Sequence, residues 1–498
     1  MRRQLLVAIF PGLAGCAAIE GPRDHVVMFS AAGDAVDPSV GAFSTKATRR
    51  LENAGPDDLE PTGAWRDYLD SMFAAARQAG DDPARRRLVV FVHGGLNTPR
   101  GTIERANDLL PRMTEDGCYP IFVNWRSSLF SSYFEHLLFV RQGEDWGWWG
   151  APLSPLFLTY DVTKAVILSP FIAAQEIWRF VGTNGGYDSK EQDDADNVGD
   201  VLAREWRNWK KGPQTDPPPT PTLRGRDDRS WFERARSVTA MTLTLPIKFV
   251  SGPFVVAMGS PAWDVMSRRV HLLLDSPPSA RRAPRLSPDD PKKLVPAPPT
   301  QFLQFVARLA RFQREEAAAG RTWEIDLIGH SMGTMVANGI LLADGRTNAG
   351  EPSDVPDFGR VVYMAAACSL RDWEASVLPY MLRHGSTRFY QLTLQDKAED
   401  AERNAFDLSP RGSLLAWIDD FLSQPLAPLD QTAGRFRNFM LDYEHVAAGL
   451  QRRIHVIEYG FGDDLEAHEP QKHGQFGDLA FWQRKFFDAT IADHPRPR

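Results

Sequence analysis

Only three cysteines occur in 498 residues, Cys16, Cys118 and Cys368. No C-x-x-C pair and no H-E-x-x-H are present, so the sequence carries no signal for a structural or catalytic metal. Cys118 lies just before one predicted strand and Cys368 at the end of another. In a parallel sheet those are opposite edges, farther apart than a disulfide allows. Basic excess is also missing. Lys and Arg number 57 against 64 Asp and Glu, a formal net charge of -7. With no basic aromatic patch either, nucleic acid is not an expected partner. There is no internal repeat. The apolar patch from 238 to 258 is interrupted by Pro246, Lys248 and Pro253, which makes it a poor membrane-spanning candidate.

What remains is ordinary globular material, 43% hydrophobic and 24% charged, with room for one large or two medium domains. The first residues are targeting rather than fold. Arg2 and Arg3 precede a short apolar run from 5 to 10, too short to span a bilayer as a helix. Leu13-Ala14-Gly15-Cys16 follows. This order of charge, apolar run and cysteine resembles a bacterial lipoprotein signal. The resemblance implies cleavage before Cys16, acylation of its thiol, and a domain tied to a membrane on the periplasmic side of the cell envelope. Ala17 after the cysteine is compatible with outer-membrane sorting. An ordinary signal peptide and an uncleaved anchor are the competing readings.

Residues 16–60 read as a tether and N-terminal extension with some early strand structure. Trp65, Tyr68, Leu69, Met72, Phe73 and Ala76 then recur at helical spacing. The run from Leu88 to Val92 is continuously apolar, as in a central parallel strand buried on both faces. It ends in His93-Gly94-Gly95. A helix follows, disturbed at Pro111, and then a strand from 119 to 125. Strand, helix, strand at this spacing is a βαβ unit. Residues 129–300 break the rhythm with an aromatic-rich part (Phe130, Tyr133, Phe134, Phe139, Phe171, Trp178 among others) and two Pro-rich polar stretches. They read as an insertion that partly forms a cap, with at least half of the rings packed as core between cap and body. The rhythm resumes over 301–498. A helix around 302–312 leads to strands near 325–328, 360–367, 388–394 and 453–459.

Gly329-His330-Ser331-Met332-Gly333 is a G-x-S-x-G pentapeptide with an apolar strand before it and helical spacing after it, the context that motif requires. Serine needs a base within hydrogen-bond reach and a third group to orient that base. Asp396 and His473 follow in chain order, each beyond a predicted strand. At these residues the chain resembles an α/β-hydrolase over 61–128 and 301–498. His93-Gly94-Gly95 resembles the oxyanion loop, and the pentapeptide the nucleophile elbow. His473-Gly474-Gln475-Phe476 resembles the loop carrying the catalytic histidine. The implied fold is a mostly parallel central sheet flanked by helices, with the 129–300 block between the oxyanion-loop half and the nucleophile half.

The implied roles are Ser331 as nucleophile, His473 as base and Asp396 as orienting acid, with the N–H groups of Met332 and Gly95 or Gly94 receiving the oxyanion. His468 competes for the base role, and Glu399 and Asp400 for the acid. His455 reads as structural, and His93 and His330 as parts of their motifs. The expected activity is cleavage of carboxylic esters, including lipid-derived ones, through an acyl-enzyme, with neither metal nor organic cofactor. Acyl transfer and amide cleavage use the same groups. A non-catalytic envelope lipoprotein that binds through this fold is the reading from another class.

Overall fold

The computed structural model describes residues 21–38, 63–141, 144–145, 150–184, 222–223, 227–275, 299–346, 353–403, 407–462 and 469–488. The signal segment with Cys16, the alternative base His468, and most of both Pro-rich stretches lie outside the described residues.

A nine-stranded sheet forms the centre. Its strands are β1 (Val26–Phe29), β2 (Ala35–Val36), β3 (Arg87–Val92), β4 (Tyr119–Trp125), β7 (Thr222–Leu223), β8 (Glu324–His330), β9 (Phe358–Met364), β10 (Arg388–Leu394) and β11 (Ile454–Tyr459). A separate antiparallel pair is made by β5 (Val140–Arg141) and β6 (Glu144–Asp145). The order across the sheet is β2-β1-β4-β3-β8-β9-β10-β11-β7, and every neighbouring pair except β1–β2 is parallel. The fold is thus α/β, with a mostly parallel sheet flanked by helices. The residues from Leu88 to Val92 are all buried, which is what the continuous apolar run requires of a central strand.

The helices that matter here are α1 (Gly63–Ala79), α2 (Pro99–Glu115), α3 (Leu129–Leu138), α4 (Gly150–Asn184), α5 (Trp231–Leu274), α6 (Gln301–Ala318), α7 (Gly333–Ala343), α8 (Leu370–Arg383) and α9 (Asp396–Ala401). The spacing of Trp65, Tyr68, Leu69, Met72 and Phe73 puts them on one buried face of α1. Phe73 stacks on Phe312 of α6 at 5.1 Å, so the two helices share one core.

The structure departs from the sequence reading at several places. α2 runs through Pro111 without ending there. Within 16–60 the early strand structure expected there is present, with β1 entering the sheet at Val26. Thr222 and Leu223, from the block read as an insertion, pair with β11 at the sheet edge. The patch from 238 to 258 is not broken by its prolines; it lies within the single 44-residue helix α5, which also contains Pro261. The aromatic run is the largest correction. Tyr133 is buried, but Phe130, Phe134, Phe139, Tyr160, Phe171 and Trp178 are all exposed. Ring content alone does not say which face of a helix the rings occupy, and here they face outward.

Candidate active site

The parallel strands β3, β8, β10 and β11 all end on one side of the sheet, and the motif residues follow those ends. β8 stops at His330 and α7 begins at Gly333, so only Ser331 and Met332 make the turn. Ser331 has φ 51°, a left-handed backbone that a non-glycine residue adopts only when its surroundings enforce it. Three interactions do so. Ser331 N–H donates to the Met364 carbonyl at 2.9 Å, and the Ser331 carbonyl accepts from Ala367 N–H at 3.2 Å and from the Thr334 hydroxyl at 2.7 Å. Gly333 is needed for contact: a Cβ there would stand 2.3 Å from the Val92 carbonyl oxygen. The elbow and the end of β3 are therefore in van der Waals contact through a missing side chain.

His473 opens a short 3₁₀ turn beyond β11. Its Nε2 is 2.8 Å from Ser331 Oγ, and both residues are buried. Burial holds the His473 imidazole down at about 4, so the ring is neutral near pH 7 and can accept the serine proton. His330 Nε2 meets the His473 carbonyl at 3.1 Å. Since a carbonyl only accepts, His330 donates from Nε2. Its own pKa lies well below the ordinary value, chiefly through burial. The second residue of the elbow thereby clamps the loop that carries His473.

Gly94 and Gly95 lie against the elbow. A Cβ on Gly94 would fall 2.8 Å from Ser331 Cβ, and one on Gly95 would fall 2.5 Å from Met332 Sδ. The loop is held by its carbonyls. The Gly94 oxygen accepts from Asn97 Nδ2 at 2.9 Å and from His93 Nδ1 at 2.6 Å. Trp125 N–H donates to His93 Nε2 at 3.1 Å, which puts the ring proton on Nδ1 and leaves His93 neutral, its pKa lowered to about 4 by burial. In a trans peptide the N–H points opposite to the C=O. Tying back the Gly94 carbonyl thus turns the Gly95 N–H the other way. Met332 is the N-cap residue of α7, at the helix end whose N–H groups have no intrahelical acceptor.

The carboxylate is different. Among the described residues His473 Nδ1 is buried with no hydrogen-bond partner, so none of Asp396, Glu399 and Asp400 hydrogen-bonds to it. Asp396 begins α9. Asp400 is engaged elsewhere, 3.0 Å from Arg435. Glu399 accepts from the Ser413 hydroxyl, and desolvation raises its carboxyl to about 8. The carboxylate that touches His473 is Glu402, which accepts the His473 backbone N–H at 3.0 Å and is raised to about 7 by desolvation. Glu402 went unweighed in the sequence because it lies eight positions past the end of β10, in a run of acids that reads as a solvated face. The structure therefore brings Ser331, His473, Met332, Gly94 and Gly95 together, with no hydrogen bond between Asp396 and the His473 ring. His455 stacks on Tyr390 at 4.6 Å inside the sheet.

A serine hydroxyl on a neutral buried imidazole, beside a helix N-terminus and a two-glycine loop, can carry out nucleophilic attack and proton shuttling. No family model matches this chain, and neither does any curated protein or solved structure.

Proposed function

We propose that the chain is a serine hydrolase of the α/β-hydrolase type that cleaves carboxylic esters. The observation that carries this is the 2.8 Å contact between Ser331 Oγ and His473 Nε2 at a strained elbow. In this reading His473 takes the Ser331 proton as Oγ attacks the ester carbon. The oxyanion is received by the N–H groups of Met332 and of Gly95 or Gly94. The proton passes from His473 to the departing alkoxide, leaving an acyl-serine. A water then gives its proton to His473 and attacks the acyl carbon, which releases the carboxylic acid and restores the serine. Orientation of His473 is assigned to Glu402, which already holds its backbone N–H. Asp396 and Glu399 are the other carboxylates of the same segment. Residues between β4 and β8, chiefly α3, α4 and α5, form the cap of this reading. Acylated Cys16 would tether the domain to a membrane on the periplasmic side of the envelope. Acyl transfer or amide cleavage would use the same groups on another acceptor or leaving group.

The partnerless Nδ1 of His473 favours one other reading, a non-catalytic envelope protein that keeps the fold for binding. Hydrolysis of nitrophenyl esters of increasing acyl length separates the two. Turnover by the folded wild type should fall by about 10⁴ or more in Ser331→Ala. Absence of turnover at every chain length would remove the ester reading.

A further inference from the structure

The two long helices α4 and α5 are inverted relative to helices of a water-soluble surface. Both are long and apolar enough to cross a membrane. Yet only 17% of the most apolar 18-residue window of α4 is buried, and 28% of that of α5. Along α4, Leu156, Tyr160, Ile167, Phe171 and Trp178 are exposed. Their spacing of four and seven residues puts them on one face. Along α5 the same holds for Leu243, Ile247, Val250 and Phe254.

Arg236 and Asp264 of α5 are exposed, outside the stretch from Leu243 to Phe254, but three other charges of these helices point the other way. Glu176, Arg179 and Lys248 are buried. Lys248 Nζ lies 2.6 Å from Asp407 and 3.6 Å from Glu176, and the Glu176 carboxylate accepts the Arg411 N–H at 2.7 Å. In water a helix turns its charges outward and its apolar stripe inward. Charges turned inward and paired, with large apolar side chains turned outward, are the arrangement that a hydrocarbon surrounding favours. Gly252 adds to it, since a Cβ there would stand 2.8 Å from the Ile172 side chain. Small residues at such helix contacts let backbones approach closely.

The helices lie along the body and do not leave it. Ser237 meets Arg411 at 2.9 Å, Ser251 donates to the Leu408 carbonyl at 2.6 Å, and Arg269 reaches Ser132 at 2.9 Å. Contacts at the start, middle and end of α5 fit a pair that sinks one face into a bilayer, and they do not fit a pair that spans it.

An apolar cavity of about 100 Å³ lies between this face and the elbow. Its lining includes Leu96, next to Gly95, and the buried Met332, next to Ser331, together with Phe130 and Phe254. Both phenylalanines are exposed.

We propose that the outward faces of α4 and α5 sit in the acyl layer of a lipid bilayer, and that the cavity takes the acyl chain of an ester borne by a membrane lipid directly from that layer to Ser331. The substrate part of this proposal rests on the ester-hydrolase reading; the docking part does not.

The test uses the full chain reconstituted with phosphatidylethanolamine–phosphatidylglycerol vesicles. Nitroxides are placed through Val166→Cys, Phe171→Cys and Val250→Cys, with Ala84→Cys at the opposite end of the sheet as control. Cys118 and Cys368 are buried, and the parent chain gives the labelling background. With vesicles, the three helix labels should be relaxed more by oxygen than by a water-soluble nickel chelate, and the Ala84 label more by the chelate. Helix labels that remain dominated by the chelate on vesicle-bound protein overturn the docking. Phe171→Glu and Val250→Glu should leave hydrolysis of a soluble short-chain ester unchanged and lower hydrolysis of a vesicle-borne long-chain ester tenfold or more. An equal loss on both esters, or no loss on either, overturns the acyl route. Oxygen-dominated labels in a chain that hydrolyses neither ester would overturn the acyl route and the ester reading together, leaving the docking standing.

Discussion

At the scale of single residues, the site is a serine–histidine pair with a carboxylate at the histidine's backbone. Glu402 touches His473 through the backbone N–H, and the side-chain Nδ1 has no partner. If Glu402 orients the base, Glu402→Gln should lower kcat by about 10²–10⁴ with KM little changed. Asp396→Asn should then cost under about tenfold. The pH profile gives a second readout. Glu402 is raised to about 7 and His473 held at about 4, so the carboxyl is neutral across the acid limb, and Glu402→Gln should leave that limb of kcat/KM in place. A large loss in Asp396→Asn with a mild one in Glu402→Gln would return the role to Asp396.

Among the elements, the elbow was legible in the sequence because its chemistry is local. The pentapeptide, the apolar strand before it and the helical spacing after it fall within about twenty residues, and β8 and α7 occupy that stretch. The strand from 88 to 92 was legible for the same reason, since a continuous apolar run has few other uses. The acid was not legible, because Asp396, Glu399, Asp400 and Glu402 differ only in what the fold places beside them. The inversion of α4 and α5 was hidden for a similar reason. Their charged residues pair with Asp407 and Arg411, more than 150 positions away in the chain. Gly333 gives the element-scale prediction. With the Val92 carbonyl 2.3 Å from the position of a Cβ, Gly333→Ala must push α7 off β3. It should cost about 3 kcal/mol of stability and most of the ester activity. A fully active, equally stable variant would contradict the close contact.

For the whole molecule, the sheet carries opposite electrostatics at its two ends. At the end away from the site, Asp326 of β8 is buried between Arg87 of β3 and Arg360 of β9, 2.8 and 3.0 Å away. Near the site the titratable groups are desolvated and mostly uncharged. Their shifts set the pH dependence of stability. His93 and His473 are held at about 4 against an ordinary 6.5. Below pH 6.5 the unfolded chain binds protons that the native state refuses, so stability falls as pH drops from 6.5 toward 4. Glu399 and Glu402 are raised to about 8 and about 7 from 4.5. Above 4.5 the unfolded chain releases protons that the native state keeps, so these two lower stability as pH rises toward 8. The two pairs nearly cancel over the range they share, so the melting temperature should pass through a shallow maximum between about pH 5 and 6, and Glu399→Gln should flatten the alkaline side. Thermal scans across pH check both statements.

The central claim is that Ser331 is a nucleophile activated by His473. The most direct measurement is labelling of the folded chain with a fluorophosphonate, followed by mass spectrometry of the modified peptide. The account predicts one adduct, on Ser331, lost in Ser331→Ala and slowed at least a hundredfold in His473→Ala. Absence of an adduct on the folded wild type, or labelling that persists in Ser331→Ala, would contradict it.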